Sequence, residues 1–294
     1  MITNKLILGT VQFGLNYGIN NKLGKVSEES IRDILDVAFA NGIQILDTAE
    51  AYGNSQERIG NYHRNSENTF DIVTKFHSAV KVDSSFDIKK RVLGDIHILG
   101  VENLYGYMFH SFSDFEKYFD FFKADLIELK SKGIIKKIGV SVYTNEELEK
   151  TIDISEVELI QLPYNLFDND KLRGESIQKA KQKGVEIHTR SAFLQGLFFK
   201  SLETITGNLV NLKDDLNKVN NLIESNELSM ASCALNYPVS KNHIDKVLIG
   251  VDSLKQLEEN INALKTTDLE SVFKEIDQIE IKDKQLLNPS LWKI

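Results

Sequence analysis

Four residues have the types and spacing for shared acid–base chemistry: Asp47, Tyr52, Lys75 and His110. Asp47 closes the apolar run of Ile43, Ile45 and Leu46, and Tyr52 follows in the next loop. The run from Phe70 to Thr74 stops at Lys75, and the run from Leu104 to Phe109 stops at His110. Three successive strand-like runs thus end on a titratable group, with a phenol just beyond the first. A phenol has an ordinary pKa of about 10, so it gives up its proton readily at neutral pH only if a neighbouring cation lowers that value. Lys75 is the candidate cation, Asp47 would hold and charge-balance it, and His110 would orient the oxygen that takes the proton. Taken singly, each has a plainer use: Tyr52 as packing, Lys75 as a solvated strand end, Asp47 as a turn cap, His110 as a structural hydrogen-bonder. Their order along the chain weighs against those uses, because consecutive strand ends are where a barrel assembles a site.

The elements that would position them alternate strand and helix, the signature of βαβ units and a parallel sheet. Leu6 to Leu8 is the first strand, entered directly from the N-terminus and closed by Gly9 and Thr10. The loop from Gly14 to Leu23, rich in glycine and asparagine, is expected to be mobile. A helix starts at Ser27, places Ile31, Ile34, Leu35, Ala38 and Phe39 at helical spacing, and stops at Gly42. Asn54 to Glu57 offer caps for the next helix. Further helices are read over Asp87–Leu99 with Ile88, Val92, Leu93 and Ile96 inward, Phe115–Lys132, Asn145–Thr151, Asp170–Lys183, Asn211–Tyr237 with an interruption at Asn226, and Leu254–Leu264. Later strands are read at Ile135–Val140, Leu159–Leu162, Val185–His188 and Val247–Ile249. Eight such units suit a closed (β/α)8 TIM barrel, and Leu269–Ile279 adds a C-terminal helix. No Pro- or Ser-rich linker interrupts residues 1–294, so a single α/β domain is expected.

A net charge of −8 and a pI near 5.4 exclude a general nucleic-acid or anionic-membrane partner, which needs a basic face. No run is long enough to span a membrane, and no leader pattern opens the sequence, so a cytoplasmic location is expected. Cys233 is the single cysteine and is expected to be a buried, inert thiol. His63, His77, His97, His188 and His243 form no HxH or HExxH spacing, so no metal site is expected, and His188 is read as structural.

The stretch LDTAEAYG around Asp47 and Tyr52 resembles the D-T-A-x-x-Y-G motif of the aldo-keto reductase family, whose members are (β/α)8 barrels that reduce carbonyls with a nicotinamide cofactor. The family's Asp, Tyr, Lys and His tetrad matches Asp47, Tyr52, Lys75 and His110 in order. The resemblance implies further roles. Ile138 to Val142 is similar to the fifth-strand G-V-S-N, which would set Ser141 against the nicotinamide carboxamide, with Val142 replacing the asparagine. Gln161, followed by Tyr164 and Asn165, resembles the glutamine that holds the same carboxamide. Arg190 and Ser191 stand where the family usually has Tyr-Ser-Pro, its tyrosine stacking on the nicotinamide ring; stacking and phosphate contact are both open to an arginine. Phe193 to Leu197, including Gln195 and Gly196, resembles the loop that folds over the pyrophosphate. Gly9 and Thr10, at the end of the first strand, are counted with the same site.

The stretch LIGVDSLKQLEEN resembles the family's eighth unit, with Glu259 and Asn260 matching the pair at the adenine, Ser253 and Gln256 on the same helix, and a helix start suited to phosphate. Many members carry arginine or lysine there for the 2′-phosphate; this chain has Gly250, Asp252 and Gln256, with Lys255 the nearby cation. NADP is the cofactor the resemblance implies, and NAD is the alternative, since a carboxylate repels phosphate and accepts bonds from a ribose diol. The expected activity is reduction of an aldehyde or ketone by NAD(P)H. The loop residues Gln12, Asn16 and Tyr17 suggest a polar, sugar-like substrate, and the sequence is similar to bacterial members associated with carbohydrate metabolism. Two other readings stand beside it: a nicotinamide-nucleotide-binding sensor barrel, and a Schiff-base aldolase with Lys75 as nucleophile.

Overall fold

The computed structural model of the protein describes residues 2–21, 23–77, 82–83 and 86–293. Lys22, within the glycine-rich loop read from the sequence, and Met1 lie outside the described residues. Eight strands, β1 (Leu6–Gly9), β2 (Ile45–Asp47), β3 (Asp71–Phe76), β4 (Leu104–Phe109), β5 (Ile135–Ser141), β6 (Val157–Pro163), β7 (Glu186–Arg190) and β8 (Lys246–Gly250), pair in parallel with their sequence neighbours, and β8 closes onto β1. The sheet is therefore the closed barrel that the alternation predicts. Inside it Ile7, Ile45, Val73, Met108 and Leu159 form a compact apolar plug. Gly106 makes room for that plug, since a β-carbon there would lie 2.8 Å from Leu159 Cδ2. Below it, Glu186 accepts from Tyr105 at 2.7 Å, pairs with Lys137, and lies 2.6 Å from His188 Nε2. His188 is fully buried there, in the structural position expected of it.

The helices follow the strands and pack outside: α1 (Val11–Gly14), α2 (Glu28–Ala40), α3 (Ser55–Arg64), α4 (Ile88–Leu99), α5 (Phe112–Ser131), α6 (Asn145–Thr151), α7 (Asp170–Gln182), α8 (Lys213–Ser225), α9 (Met230–Ser240), α10 (Leu254–Ala263) and α11 (Glu270–Ile276). Their starts are set by side-chain caps. Ser27 accepts from Ser30 N, Asp87 from Lys90 N, Ser111 from Asp114 N, and Thr144 closes a capping box with Glu147. Gly42 ends α2's turn at φ 82°, a left-handed conformation that glycine adopts without steric cost.

Several local expectations change. The N-terminus does not enter the strand directly, because Ile2–Lys5 forms a 3₁₀ turn first. Asn54 occupies the N-cap of α3 without a side-chain cap bond, and its Oδ1 accepts from Lys25 instead. Leu93 is 49% exposed, so the inward face of α4 is carried by Ile88, Val92, Asp95 and Leu99. The helix after β4 begins a turn earlier than read, at the Ser111 cap. The interruption read at Asn226 is present, with Asn226 as the C-cap of α8 and α9 following from Met230. Cys233 is fully buried on α9, and burial raises its thiol pKa to about 11, as an inert thiol requires.

Candidate active site

The strands deliver their terminal residues to the mouth of the barrel where their C-terminal ends lie, and a cleft of about 550 Å³ opens there. Asp47 ends β2, Lys75 stands one residue before the end of β3, and His110 follows β4, its N–H bonded to Phe76 O at 3.1 Å. Tyr52 is set by the turn between β2 and α3. Its N–H reaches Ala49 O at 3.0 Å, and Ser55 N–H reaches Tyr52 O at 3.1 Å. Gly14, at the end of α1, packs on this turn so closely that a β-carbon would fall 1.7 Å from Tyr52 O. Ser55 Oγ bonds Thr10 O at 2.9 Å, and Thr10 Oγ1 donates to Asp47 O at 3.0 Å, so the Tyr52 turn is fixed to β1 and β2.

The four candidate residues come together. Lys75 Nζ donates to Asp47 Oδ1 at 2.5 Å and to Thr48 O at 3.1 Å, with both pair members almost completely buried. Asp47 Oδ2 accepts from Gln161 Nε2 at 2.8 Å. Lys75 Nζ lies 5.5 Å from the centroid of the Tyr52 ring, and the His110 ring stands edge-on to Tyr52 at 5.7 Å and 80°. Burial, with Lys75, His77 and Arg190 adding to it, lowers the His110 pKa to about 3, so its imidazole is neutral at physiological pH.

One expectation is corrected: Tyr52 is not made more acidic. Its withdrawal from water, then the charge of Asp47, push its pKa above the ordinary phenol value. Burial likewise lowers the pKa of Lys75, and its charge is matched at contact distance by Asp47; Arg190 is the cation that opposes the rise at Tyr52.

Of the other residues singled out in the sequence, Gly9, Thr10, Ser141, Gln161, Arg190, Ser191, Gln195, Gly196, Gly250, Asp252, Gln256, Glu259 and Asn260 line the cleft. Ser253 does not line it; its hydroxyl caps α10 by accepting from Gln256 N. Lys75 also lies behind the wall, out of the lining. Gln161 has one amide proton committed to Asp47. Tyr164 and Asn165 are structural: Tyr164 stacks on Tyr237 at 5.4 Å and donates to Asp170, while Asn165 Oδ1 accepts from Phe167 N and Asp168 N.

Arg190 lies flat on Tyr143, its guanidinium carbon 4.1 Å from the ring centroid. The loop after it is left-handed at Ser191, Leu194, Gln195 and Gly196, and it is tied to the loop after β1. Asn20 Nδ2 donates to Gly196 O at 2.7 Å, and Gln195 Nε2 to the Tyr17 hydroxyl at 2.8 Å. The loop expected to be mobile is thus bonded across the cleft. Of the loop residues read as setting the substrate's polarity, Gln12 and Tyr17 line the cleft and Asn16 does not; Asn20, Tyr143 and Phe199 are lining residues that the sequence reading did not assign to the site. For Tyr143, the signal was an aromatic residue two positions past Ser141 at a strand end; for Asn20 and Phe199 there was none.

At the far end, Asp252 accepts at Oδ2 from Gln256 Nε2 at 3.3 Å, and its Oδ1 is buried without a partner. Burial raises its pKa. Gln12 Oε1 is orphaned beside it, and a β-carbon at Gly250 would lie 2.8 Å from Gln12 Nε2. Asp252 and Gln12 both line the cleft and stand close enough to interact, and such a carboxylate and amide suit a polyhydroxylated ligand such as a nucleotide ribose. No cluster of His, Cys, Asp and Glu among the described residues could hold a metal ion.

An acid, a phenol, an ammonium and an imidazole are thus gathered at the strand ends of a closed eight-stranded parallel barrel. The Aldo/keto reductase family model matches residues 5–281, and the chain belongs to that family. It is accordingly an oxidoreductase that works with a nicotinamide cofactor. Among solved structures it is similar to the aldo-keto reductase AKR11C1 from Bacillus halodurans in its holo form, at 19% identity and TM-score 0.73 over 96% of this chain and 95% of that one. It is also similar to the glycerol dehydrogenase AKR11B4 from Gluconobacter oxydans, at 19% identity and TM-score 0.72 over 93% and 90%. At these identities the likeness is one of fold. No curated protein sequence matches the chain.

Proposed function

We propose that the chain reduces an aldehyde or ketone, with Tyr52 as the general acid, and that it does so in the cytoplasm on a small polar carbonyl compound. The observation that carries the reading is the buried Lys75–Asp47 pair beneath Tyr52, with neutral His110 edge-on to the same ring. When bound, a reduced nicotinamide cofactor would supply the hydride that the carbonyl carbon needs. His110, neutral, donates a hydrogen bond to the carbonyl oxygen and holds it against Tyr52. As negative charge grows on that oxygen, the Tyr52 hydroxyl gives it a proton, and the resulting alcohol leaves. A phenol whose pKa is raised stays fully protonated at neutral pH, and its acidity lies closer to that of the alcohol it forms. Lys75 and Arg190 lend positive charge to the phenolate that remains until solvent returns the proton.

Gly9, Thr10, Ser141, Gln161, Ser191, Gln195, Gly196, Gly250, Asp252, Gln256, Glu259 and Asn260 are the residues we assign to cofactor binding. Ser253 acts by capping α10. NADP is the family default, and NADH is the form we favour here. The support is the Asp252 carboxylate in the cleft lining, suited to a ribose diol, and the position of Lys255, 83% exposed and turned toward Glu259 at 3.7 Å. A Schiff-base role for Lys75 is weakened by its position behind the lining and its two hydrogen bonds.

Tyr52→Phe tests the reading. NADH binding, followed by cofactor fluorescence, is expected to persist while turnover falls by several orders of magnitude; retained turnover would remove Tyr52 from its role. The same titration with NADPH tests the preference at Asp252.

A further inference from the structure

Arg190 is the half-buried arginine whose charge is unmatched. Arg58 pairs with Glu28 at 2.5 Å, Arg91 holds Glu50 at 2.6 and 2.8 Å, and buried Arg173 is bonded to Asp168. Arg190 lines the active-site cleft, rests one face on Tyr143, and makes a single long bond, from Nη2 to Val142 O at 3.4 Å. No carboxylate among the described residues pairs with it. Most of its donors are free, held in a fixed fork by the stacking contact. A planar, pre-oriented guanidinium with unspent donors matches the two oxygens of a carboxylate or phosphate.

Its place in the cleft fixes which groups it acts on. The charge of Arg190 acts on Tyr17, Tyr52, Lys75 and His110, and at longer range on Asp168, a carboxylate already bonded to Arg173; Asp252 is not among the groups it shifts. Lys75, the other cation near Tyr52, is matched by Asp47 at 2.5 Å. Tyr52 therefore shares the cleft with a guanidinium that has no carboxylate in contact with it, and Asp252 and Glu259 line the same cleft.

We propose that Arg190 anchors an anionic group of the carbonyl substrate, so that the natural substrate is a carboxylated or phosphorylated aldehyde or ketone. This rests on the reductase reading above. The same chemistry could come from the diphosphate of the dinucleotide, and the test separates the two.

The full-length protein and its Arg190→Gln and Arg190→Lys variants are assayed on matched pairs: succinic semialdehyde against butanal, and glyceraldehyde 3-phosphate against glyceraldehyde. The ratio of kcat/KM for the anionic to the neutral member is expected to exceed ten in at least one pair, to fall at least tenfold in Arg190→Gln through KM, and to recover in part in Arg190→Lys. A ratio near one, or a ratio unchanged by Arg190→Gln, overturns the proposal. NADH affinity is measured by fluorescence in parallel; a tenfold weakening with the ratio unchanged would assign Arg190 to the diphosphate instead. If no carbonyl turns over, the reductase reading fails and succinate decides alone. Calorimetric binding of succinate with NADH present, weakened tenfold in Arg190→Gln and absent for succinamide, sustains the anion site, and equal binding by both proteins overturns it.

Discussion

Lys75→Met isolates the energetic role of the buried pair. Lys75 and Asp47 are 1% and 2% exposed, joined at 2.5 Å, and Asp47 has one further side-chain partner, Gln161. Removing the ammonium leaves a carboxylate with no counter-charge in a site sealed from water. Breaking a buried pair in this way costs about 3–5 kcal/mol. Total stability of a domain is of order 5–15 kcal/mol, so that loss takes a large share. With a urea m value of about 3 kcal/mol/M, the unfolding midpoint should fall by about 1–1.7 M. The Asp47→Asn, Lys75→Met double variant removes both charges and keeps an oxygen to accept from Gln161. It should return to within about 1 kcal/mol of the parent, because replacing a whole buried pair is often neutral. Urea unfolding followed by far-UV circular dichroism at pH 7 reads all three proteins, and turnover should be lost in single and double variants alike. A Lys75→Met cost below about 1 kcal/mol, or a double variant no more stable than the single, would refute the reasoning, since either means that water reaches the pair.

His110 gives a pH signature. Its folded pKa of about 3 lies below the ordinary 6.5, so the unfolded chain takes up the proton first and stability is lost as pH falls below 6.5. At pH 5 the loss from this group is about 2 kcal/mol, at 1.36 kcal/mol per unit. His110→Gln should flatten the pH 7 to pH 5 stability profile by that amount, and parallel profiles would contradict it. Two glycines should respond in opposite directions to alanine. A β-carbon at Gly60 would lie 1.8 Å from Ile98 O, where α3 crosses the end of α4, so Gly60→Ala should lower the melting temperature sharply or abolish folding. Gly94 on α4 has open space, and Gly94→Ala should add about 0.5–1 kcal/mol.

The barrel and the tetrad were legible because one physical rule writes both. A parallel strand is buried on both faces, so its apolar run ends where the barrel opens, and the polar residue after Leu46, after Thr74 or after Phe109 falls at or beside a strand end, although Asp47 and Lys75 are themselves buried. Helix starts were legible where a capping side chain fits the pattern, as at Ser27 and Asp87. Phe112 as the true start of α5 was readable from Ser111 and Asp114, three residues apart. The acidity of Tyr52 was not legible, because sequence gives a neighbour's charge and not its exposure to water, and burial outweighs the cation here. The 3₁₀ turns after β7 have no periodicity to reveal them. Arg190's stacking on Tyr143 depends on two strand ends meeting across β6, a relation of closure and not of spacing.

The bonds from Asn20 to Gly196 and from Gln195 to Tyr17 have a consequence for timing. They make a strap from the first loop to the seventh, over the cleft in which Tyr52 and Asp252 lie. A dinucleotide bound by the residues assigned above would lie beneath that strap, and its exchange would need the strap to part. Each bond contributes about 0.5–1.5 kcal/mol, enough to keep the strap shut most of the time and to let it part on the microsecond to millisecond scale. Cofactor exchange waits on the strap. Turnover is then expected to follow a fixed sequence, with the dinucleotide first to enter and last to leave, an order that product-inhibition patterns would read.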